Sequence, residues 1–179
     1  IAIGHDALTA LTTGAGNTAI GYQAGDNLDG GSANTILGYQ ALTEEDGHGY
    51  NVAVGWKSLY TQNAGANAAN VAIGANSGLA ITTGVENVAM GYESLATATT
   101  ALNNTAIGYH AMGDVKAGVA VDGCVAIGRN ALTGNSSNTT GINNTIAIGA
   151  SALAALTSGS ENTVIGYQAG DAISSGGSN

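Results

Sequence analysis

The sequence predicts an all-β fold, a parallel β-solenoid of about ten short coils, from three observations. The sequence separation between successive copies of a recurring glycine is 17, 17, 17, 19, 17, 17, 20, 21 and then 17, and an apolar side chain precedes the glycine in every copy. The 179 residues include 29 Gly but no Pro and no Phe, so the apolar content comes from small side chains that suit thin, closely packed layers. We expect residues 1–179 to form one repeat domain, an excerpt of a longer chain, with coils centred on Gly4, Gly21, Gly38, Gly55, Gly74, Gly91, Gly108, Gly128, Gly149 and Gly166.

The three residues before each glycine predict a short strand packed on both faces. Ile, Leu, Val or Met directly precedes the glycine, Ala stands one place earlier in eight of ten copies, and the third place back is mostly Thr or Val. Such β-branched residues favour strands, in which alternate side chains point to opposite faces. The Ile column and the Thr/Val column therefore share one face, and the Ala column takes the other. We expect the invariant apolar column to be buried.

The residues after the glycine predict a second strand and then a return turn. The second following position is polar in every copy and is expected to face water, the third is always Ala or Ser, and the fourth is Leu or Met in seven copies and Gly in three. The remainder of each coil is rich in Thr, Ser, Gly and Asn and carries all the length variation, as loops do. The invariant glycine itself needs a steric reason, which is a bend that other residues disfavour or the close approach of another backbone.

An asparagine recurs four residues before the glycine and predicts a ladder that bonds from coil to coil and caps the turn. Its members are Asn17, Asn34, Asn51, Asn70, Asn87, Asn104 and Asn162. Cys124 interrupts this column, and an extra residue in the ninth coil moves the asparagine back to Asn144. We expect those two coils to be locally irregular.

Coils of this size cannot form a core alone, so each is stable only when it is stacked on its neighbours. We expect one coil to enclose only small side chains, which leaves its Ile, Val and Leu columns in need of a partner. Threefold association of identical chains would bury them, and we infer a homotrimer.

The repeat unit carries a family resemblance. Residues 17–25, Asn-Thr-Ala-Ile-Gly-Tyr-Gln-Ala-Gly, and their counterparts at 34–42, 104–112 and 162–170 resemble the repeats of phage tail-fibre proteins. They are also similar to the Asn-Ser-Val-Ala-Ile-Gly-x-x-Ser units of trimeric autotransporter adhesin heads, which residues 144–151 match nearly residue for residue. The resemblance implies a left-handed parallel β-roll, with three chains intertwined or side by side, in a longer fibre protein. The period of this chain exceeds the usual turn of the adhesin heads.

The resemblance, together with the repeat architecture, implies three functional hypotheses. The leading hypothesis is a structural, adhesive segment of a phage tail fibre or similar appendage on the virion surface, a rigid rod for host attachment. Its partners would be its own copies, a host cell-surface receptor or glycan, and other virion fibre or tail proteins. The alternative is the head of a bacterial trimeric autotransporter adhesin at the cell surface, which binds host matrix or cells. An ice-binding β-solenoid is less favoured, because Thr/Val mixing and longer coils break a flat Thr array.

Two sets of positions are candidates for ligand contact. An aromatic column directly follows the glycine and either faces a ligand or, as we favour, stacks to seal the corner of the coil. Its members are Tyr22, Tyr39, Trp56, Tyr92, Tyr109 and Tyr167. The insertions at residues 64–69, 115–123 and 133–141 are the next candidates, because loops on a rigid scaffold diverge freely and carry recognition.

Composition argues against several other classes. Three Lys and Arg against twelve Asp and Glu give a net charge of −9, which disfavours nucleic-acid binding. We expect no membrane insertion, because no apolar run approaches the ~18 residues of a membrane span. The lone Cys124 is interpreted as a small buried side chain.

Catalytic chemistry has little support in the sequence. His5, His48 and His110 fall at unrelated points of the repeat, without a Ser or Cys nucleophile motif, and the carboxylates are scattered. Residues 44–46, Glu-Glu-Asp, with His48 form the one acidic cluster, which we interpret as a solvated charge run rather than a Ca²⁺ site. We expect no enzyme activity, no catalytic residue, no cofactor and no metal.

Overall fold

The computed structural model describes residues 1–137 and 139–178 as ten stacked coils, each of which contributes one short strand to a single parallel sheet. The strands are β1 (Ala2–Ile3), β2 (Thr18–Ile20), β3 (Thr35–Leu37), β4 (Val52–Val54), β5 (Val71–Ile73), β6 (Val88–Met90), β7 (Thr105–Ile107), β8 (Val125–Ile127), β9 (Ile146–Ile148) and β10 (Thr163–Ile165). Sheet order equals chain order, and every neighbouring pair is parallel. The predicted all-β solenoid, with one coil for each glycine-centred repeat, is confirmed.

The strand register follows the repeat columns. Ala53 of β4 pairs with Ala72 of β5 although the intervening coil is longer than the standard repeat. Ile127 of β8 likewise pairs with Ile107 of β7 and Ile148 of β9, across the two longest coils. The predicted irregularity of the eighth and ninth coils is therefore wrong for the strands, because the return segments absorb the inserted residues.

The glycine that follows each strand forms the corner of the coil. At all ten positions φ lies between 130° and 143°, a region that side-chain-bearing residues rarely adopt. At Gly108, a Cβ atom would lie 2.6 Å from the carbonyl oxygen of Gly128 in the next coil. Both steric reasons for an invariant glycine apply together.

The predicted second strand is wrong. The second and fourth residues after the glycine have positive φ in every coil, for example Gln40 at 52° and Leu42 at 49°, so the backbone turns repeatedly instead of extending. This geometry also explains why Gly25, Gly78 and Gly170 alternate with Leu and Met in the fourth column, because glycine adopts positive φ without strain.

The interior of the stack is filled by aliphatic side chains of two sizes. Ala53 and Ala72 point inward from the sheet, while Leu59, Leu95 and other members of the fourth column are fully buried against them. The expectation that a coil encloses only small residues is therefore wrong. A column of large side chains opposite the alanines completes the core of a single chain.

The large side chains of the strands face outward. Ile20 is 36% exposed and Leu37 45% exposed, whereas the alternating Ala19 is fully buried. The predicted division of the strand into an Ala face and an Ile face is confirmed, but the predicted burial of the Ile column is wrong within one chain. No helix long and apolar enough to cross a membrane occurs in the described part of the chain.

Candidate binding surface

The aromatic column forms two stacks on the surface, just past the glycine corner. His5, Tyr22, Tyr39 and Trp56 stack in succession, with ring centroids 5.3, 5.2 and 6.5 Å apart and ring planes within 15° of parallel. Tyr92 and Tyr109 form a second stack, 5.4 Å apart. The structure thus joins five of the six predicted aromatic residues into two stacks and leaves Tyr167 outside them.

The stacking that we favoured from the sequence is present, and about half of each ring remains exposed. Tyr22, Tyr39, Trp56 and Tyr92 expose 41%, 44%, 46% and 44% of their surface, and Tyr109 exposes 52%. Because stacked rings cover each other's faces, the surface that a stack presents to solvent is mainly ring edges. Free ring faces occur only where a stack ends.

The polar column next to the rings is half-buried instead of fully solvated. Gln40 Nε2 donates to Gln23 Oε1 over 2.8 Å, which continues the coil-to-coil bonding at the surface. Lys57 places its Nζ over the Trp56 ring, 5.0 Å from the ring centroid, and over the Tyr60 ring at the same distance. Farther along, a hydrogen bond with Glu93 raises the pKa of the Tyr92 phenol.

The outer face of the ten-stranded sheet forms a continuous apolar stripe. Ile20, Leu37 and Met90 are at least 36% exposed on this face, and the Thr and Val of the other outward column lie beside them. With strands ~4.8 Å apart and about 10 Å long, the stripe covers on the order of 400 Å². This area is comparable to the largest apolar patch of a typical monomeric protein, and such patches are often functional.

The asparagine column is a buried hydrogen-bonded ladder. The backbone N–H of Asn87 donates to Asn70 Oδ1 over 2.9 Å, and Asn104 N–H donates to Asn87 Oδ1 over 3.0 Å. Asn87 Nδ2 donates to the Ala101 carbonyl in the return segment of the next coil over 2.7 Å. Asn51 Oδ1 likewise accepts from the Asn70 N–H over 3.1 Å, but Asn51 Nδ2 is buried and has no hydrogen-bond partner among the described residues. The other ladder asparagines each donate from Nδ2 to a carbonyl of a return segment.

Two other residues occupy the column where asparagine is missing. Cys124 continues the ladder, whereas the buried Thr145 Oγ1 has no hydrogen-bond partner among the described residues. The Cys124 N–H donates to Asn104 Oδ1 over 2.9 Å, and its thiol lies 3.1 Å from the Ile142 carbonyl. In the ninth coil the buried Thr145 occupies the column, while Asn144 is exposed with φ 55°. Burial raises the pKa of the Cys124 thiol to about 11, so this cysteine is not a nucleophile at neutral pH.

The acidic cluster lies in the third return segment and is less solvated than its sequence suggests. Glu45 is fully buried, and its Oε1 accepts from the His48 N–H over 3.0 Å and lies 2.7 Å from His48 Nδ1. Asp46 Oδ1 is 3.6 Å from the same nitrogen. The interpretation as a solvated charge run is wrong for Glu45, whose pKa is raised by burial against the opposing effect of His48.

The described residues enclose no pocket, and the three histidines lie in separate parts of the stack. His5 Nδ1 pairs with Asp6 over 2.8 Å at the surface, and His110 Nε2 lies 3.6 Å from Asp114. The three candidate insertions have exposed tips, for example at Gly65 and Gly118, where an added Cβ would meet no neighbouring atom. Residue 138, within the third insertion, lies outside the described residues.

Comparisons with protein-family models, with curated proteins and with solved structures found no match for this chain.

Proposed function

We propose that this chain is a segment of a phage virion fibre, a left-handed β-roll that associates as a homotrimer and projects as a rigid rod for host attachment. The single observation that carries the proposal is the apolar stripe on the outer face of the sheet. Stacked rows of outward Ile, Leu, Val and Thr leave apolar surface exposed to water on a single chain, whereas a fibre assembled from copies of one chain buries them.

Threefold packing suits this stripe for a geometric reason. All ten strands are parallel and in register, so each outward column is a straight row that an identical row on another chain can meet along its whole length. The rod is about 45 Å long if neighbouring coils are ~4.8 Å apart. Such a rod presents its surface groups three times, which strengthens weak contacts with a repetitive host surface.

A non-enzymatic role agrees with the chemistry of the surface. In the described residues the histidines pair with carboxylates of their own or the neighbouring coil, as His5 does with Asp6 and His110 with Glu93, and no pocket excludes water around a reacting atom. Recognition would therefore use the aromatic stacks and the tips of the insertions.

Sedimentation equilibrium tests the assembly. The proposal expects a species of three times the 17.3 kDa chain mass in native buffer. A monomer at micromolar concentration would contradict it.

Immunogold labelling tests the place of action and separates the fibre from the adhesin. Antibodies against the chain are applied to purified virions and to intact bacterial cells that encode the gene. The proposal expects gold on virion appendages, and gold confined to the cell surface would favour the adhesin head instead.

A further inference from the structure

The aromatic column has a gap of one coil between its two stacks. Trp56 ends the first stack, Tyr92 begins the second, and Ala75 holds the intervening position. Among the described residues Trp56 has a ring partner, Tyr39, only on the side of the preceding coils, and Tyr92 has one, Tyr109, only on the side of the following coils. The two ring faces that border the gap are therefore not covered by other rings.

We propose that this gap is a binding slot for one pyranose ring of a glycan, held between the faces of Trp56 and Tyr92. The proposal deepens the host-attachment role and rests on it for its biological meaning, but the slot belongs to the single chain.

The width of the gap fits one flat ring. Consecutive tyrosines in the intact stacks have centroids 5.2 and 5.4 Å apart. Because one ring is missing, the faces of Trp56 and Tyr92 are separated by about two coil spacings, roughly 10 Å. A guest ring midway would lie about 5 Å from each face, which is within the range of favourable ring stacking. The next break, between Tyr109 and Tyr167, spans three spacings, and one ring cannot touch both sides.

The polar groups beside the gap favour a sugar over an apolar aromatic guest. Lys57, Asn76 and Glu93 occupy the polar column in the three coils concerned, and they supply an ammonium donor, an amide and a carboxylate acceptor. Asn76 Oδ1 is buried and has no hydrogen-bond partner among the described residues, so the half-buried Asn76 side chain must turn outward to meet a guest. A pyranose offers apolar C–H faces to the two rings and hydroxyl groups at its rim to both donors and acceptors.

Lys57 is the movable part of the slot. Its Nζ lies over the Trp56 ring, which shows that a group can be held against this ring. The half-buried Lys57 lies over both the Trp56 and the Tyr60 ring, and a lysine side chain has many rotamers. A guest ring must therefore displace Lys57 from Trp56, and the ammonium, still beside Tyr60, then serves as a donor to the guest.

The test uses Trp56, the only tryptophan of the chain, as a fluorescent reporter. The assembled protein is titrated with the methyl pyranosides of glucose, galactose and N-acetylglucosamine. We expect a saturable change in emission with at least one of them and a Kd in the millimolar range, which corresponds to about −4 kcal/mol. No saturable response to any of the three would overturn the proposal.

A pair of matched variants locates the response. Ala75→Tyr supplies the missing ring and should abolish glycoside binding while the fold is retained by circular dichroism. Ala150→Tyr adds the same side chain to the same column in the wider break and should leave the Kd unchanged. Binding that survives Ala75→Tyr would place the sugar elsewhere and overturn the slot.

Two further outcomes separate this proposal from its alternatives. Saturation by N-acetyltyrosinamide but by none of the glycosides would show a slot for protein side chains and overturn the sugar assignment. A monomeric chain whose glycoside binding is abolished by Ala75→Tyr would contradict the trimer and support the slot, so the two proposals fail separately.

Discussion

At the scale of single residues, the corner glycines combine a strained φ with a close backbone contact, and two of them separate these effects. Gly108 has φ 132° and faces the Gly128 backbone, whereas Gly166 has φ 134° and would meet only the Ala169 side chain at 3.5 Å. We expect Gly166→Ala to cost about 1–3 kcal/mol through strain. Gly108→Ala should cost clearly more, because the next coil must also move. Urea unfolding measures the loss of unfolding free energy in both variants. Equal losses would mean that the close approach of the Gly128 backbone to Gly108 does not add to the cost.

The fourth residue after the glycine makes a second prediction, because its side chain is buried while its φ is positive. Leu95 is fully buried with φ 51°. We expect Leu95→Ile, which conserves volume, to lower the free energy of unfolding by at least ~1–2 kcal/mol, since β-branched residues strongly disfavour this backbone region.

Leu95→Met is the matched control for the effect of branching. Methionine already occupies this column at Met112 with φ 52°, so the loss should stay below about 1.5 kcal/mol. If the Ile variant were as stable as the Met variant, positive φ at position 95 would not disfavour a β-branched residue, and the prediction would be wrong. The mixture of Leu, Met and Gly without Ile or Val was the signal in the sequence that the second segment is not a strand.

Glu45 makes stability depend on pH. Burial raises the pKa of this carboxyl in the folded chain above its unfolded value. Such a group contributes stability below the unfolded pKa and loses it as the pH rises through the folded pKa. We therefore expect acidification from neutral pH to stabilise the wild type relative to Glu45→Gln, which cannot titrate.

Denaturant unfolding of both chains across the acidic range measures this difference. Asp46→Asn is the control, because the Asp46 side chain is 62% exposed and its replacement should give no comparable trend. A difference between wild type and Glu45→Gln that is constant with pH would show that the buried carboxyl is not the titrating group.

At the scale of elements, the strand columns and the return turns were predictable from the sequence, whereas the turn directly after the glycine was not. The alternation of Ile, Ala and Val around each glycine fixes one strand and its register, because only the pleat places such residues on opposite faces. We expected a second strand because the residues after the glycine show a similar alternation of outward and inward positions. However, Ala41 and Leu42 are consecutive and both fully buried, which a chain achieves by turning between left-handed residues.

The candidate surface was predictable in its columns but not in its contacts. Periodicity places Tyr22 above Tyr39, and the stack follows from the coil spacing. Whether the rings lie inside or outside depends on what fills the core. In this chain the Leu column fills the core, and the rings therefore lie outside it. The Leu side chains point inward because of their positive φ angles, which the composition of the sequence does not reveal.

The asparagine ladder predicts a large cost for the loss of one member. Asn87→Ala removes the acceptor of the Asn104 N–H and the donor to the Ala101 carbonyl, which leaves buried polar groups without partners. At about 1–3 kcal/mol for each orphaned group, we expect a loss of at least ~2 kcal/mol in unfolding free energy. Asn27→Ala, at an exposed position outside the ladder, is the control and should change stability by less than about 0.5 kcal/mol.

At the scale of the whole molecule, one chain already has a filled interior, so its remaining apolar stripe is surplus to folding and available for assembly. The buried Ala and Leu columns supply most of the contact between coils, while the outward Ile column is only half-buried. This division lets a chain fold first and associate afterwards along the full length of its sheet.

The stripe should therefore tolerate a charge in the single chain and not in the assembly. Ile107, in the middle of the stripe, is half-buried and points outward from β7. Ile107→Glu would place three unpaired carboxylates in a trimer interface, at a cost of several kcal/mol, and we expect sedimentation equilibrium to show monomers with an unchanged circular dichroism spectrum. Thr83→Glu adds the same charge to an exposed return segment and should remain trimeric. If both variants stay trimeric, the outer face of the sheet is not the contact between chains, and the rods must associate through the aromatic column or the insertions.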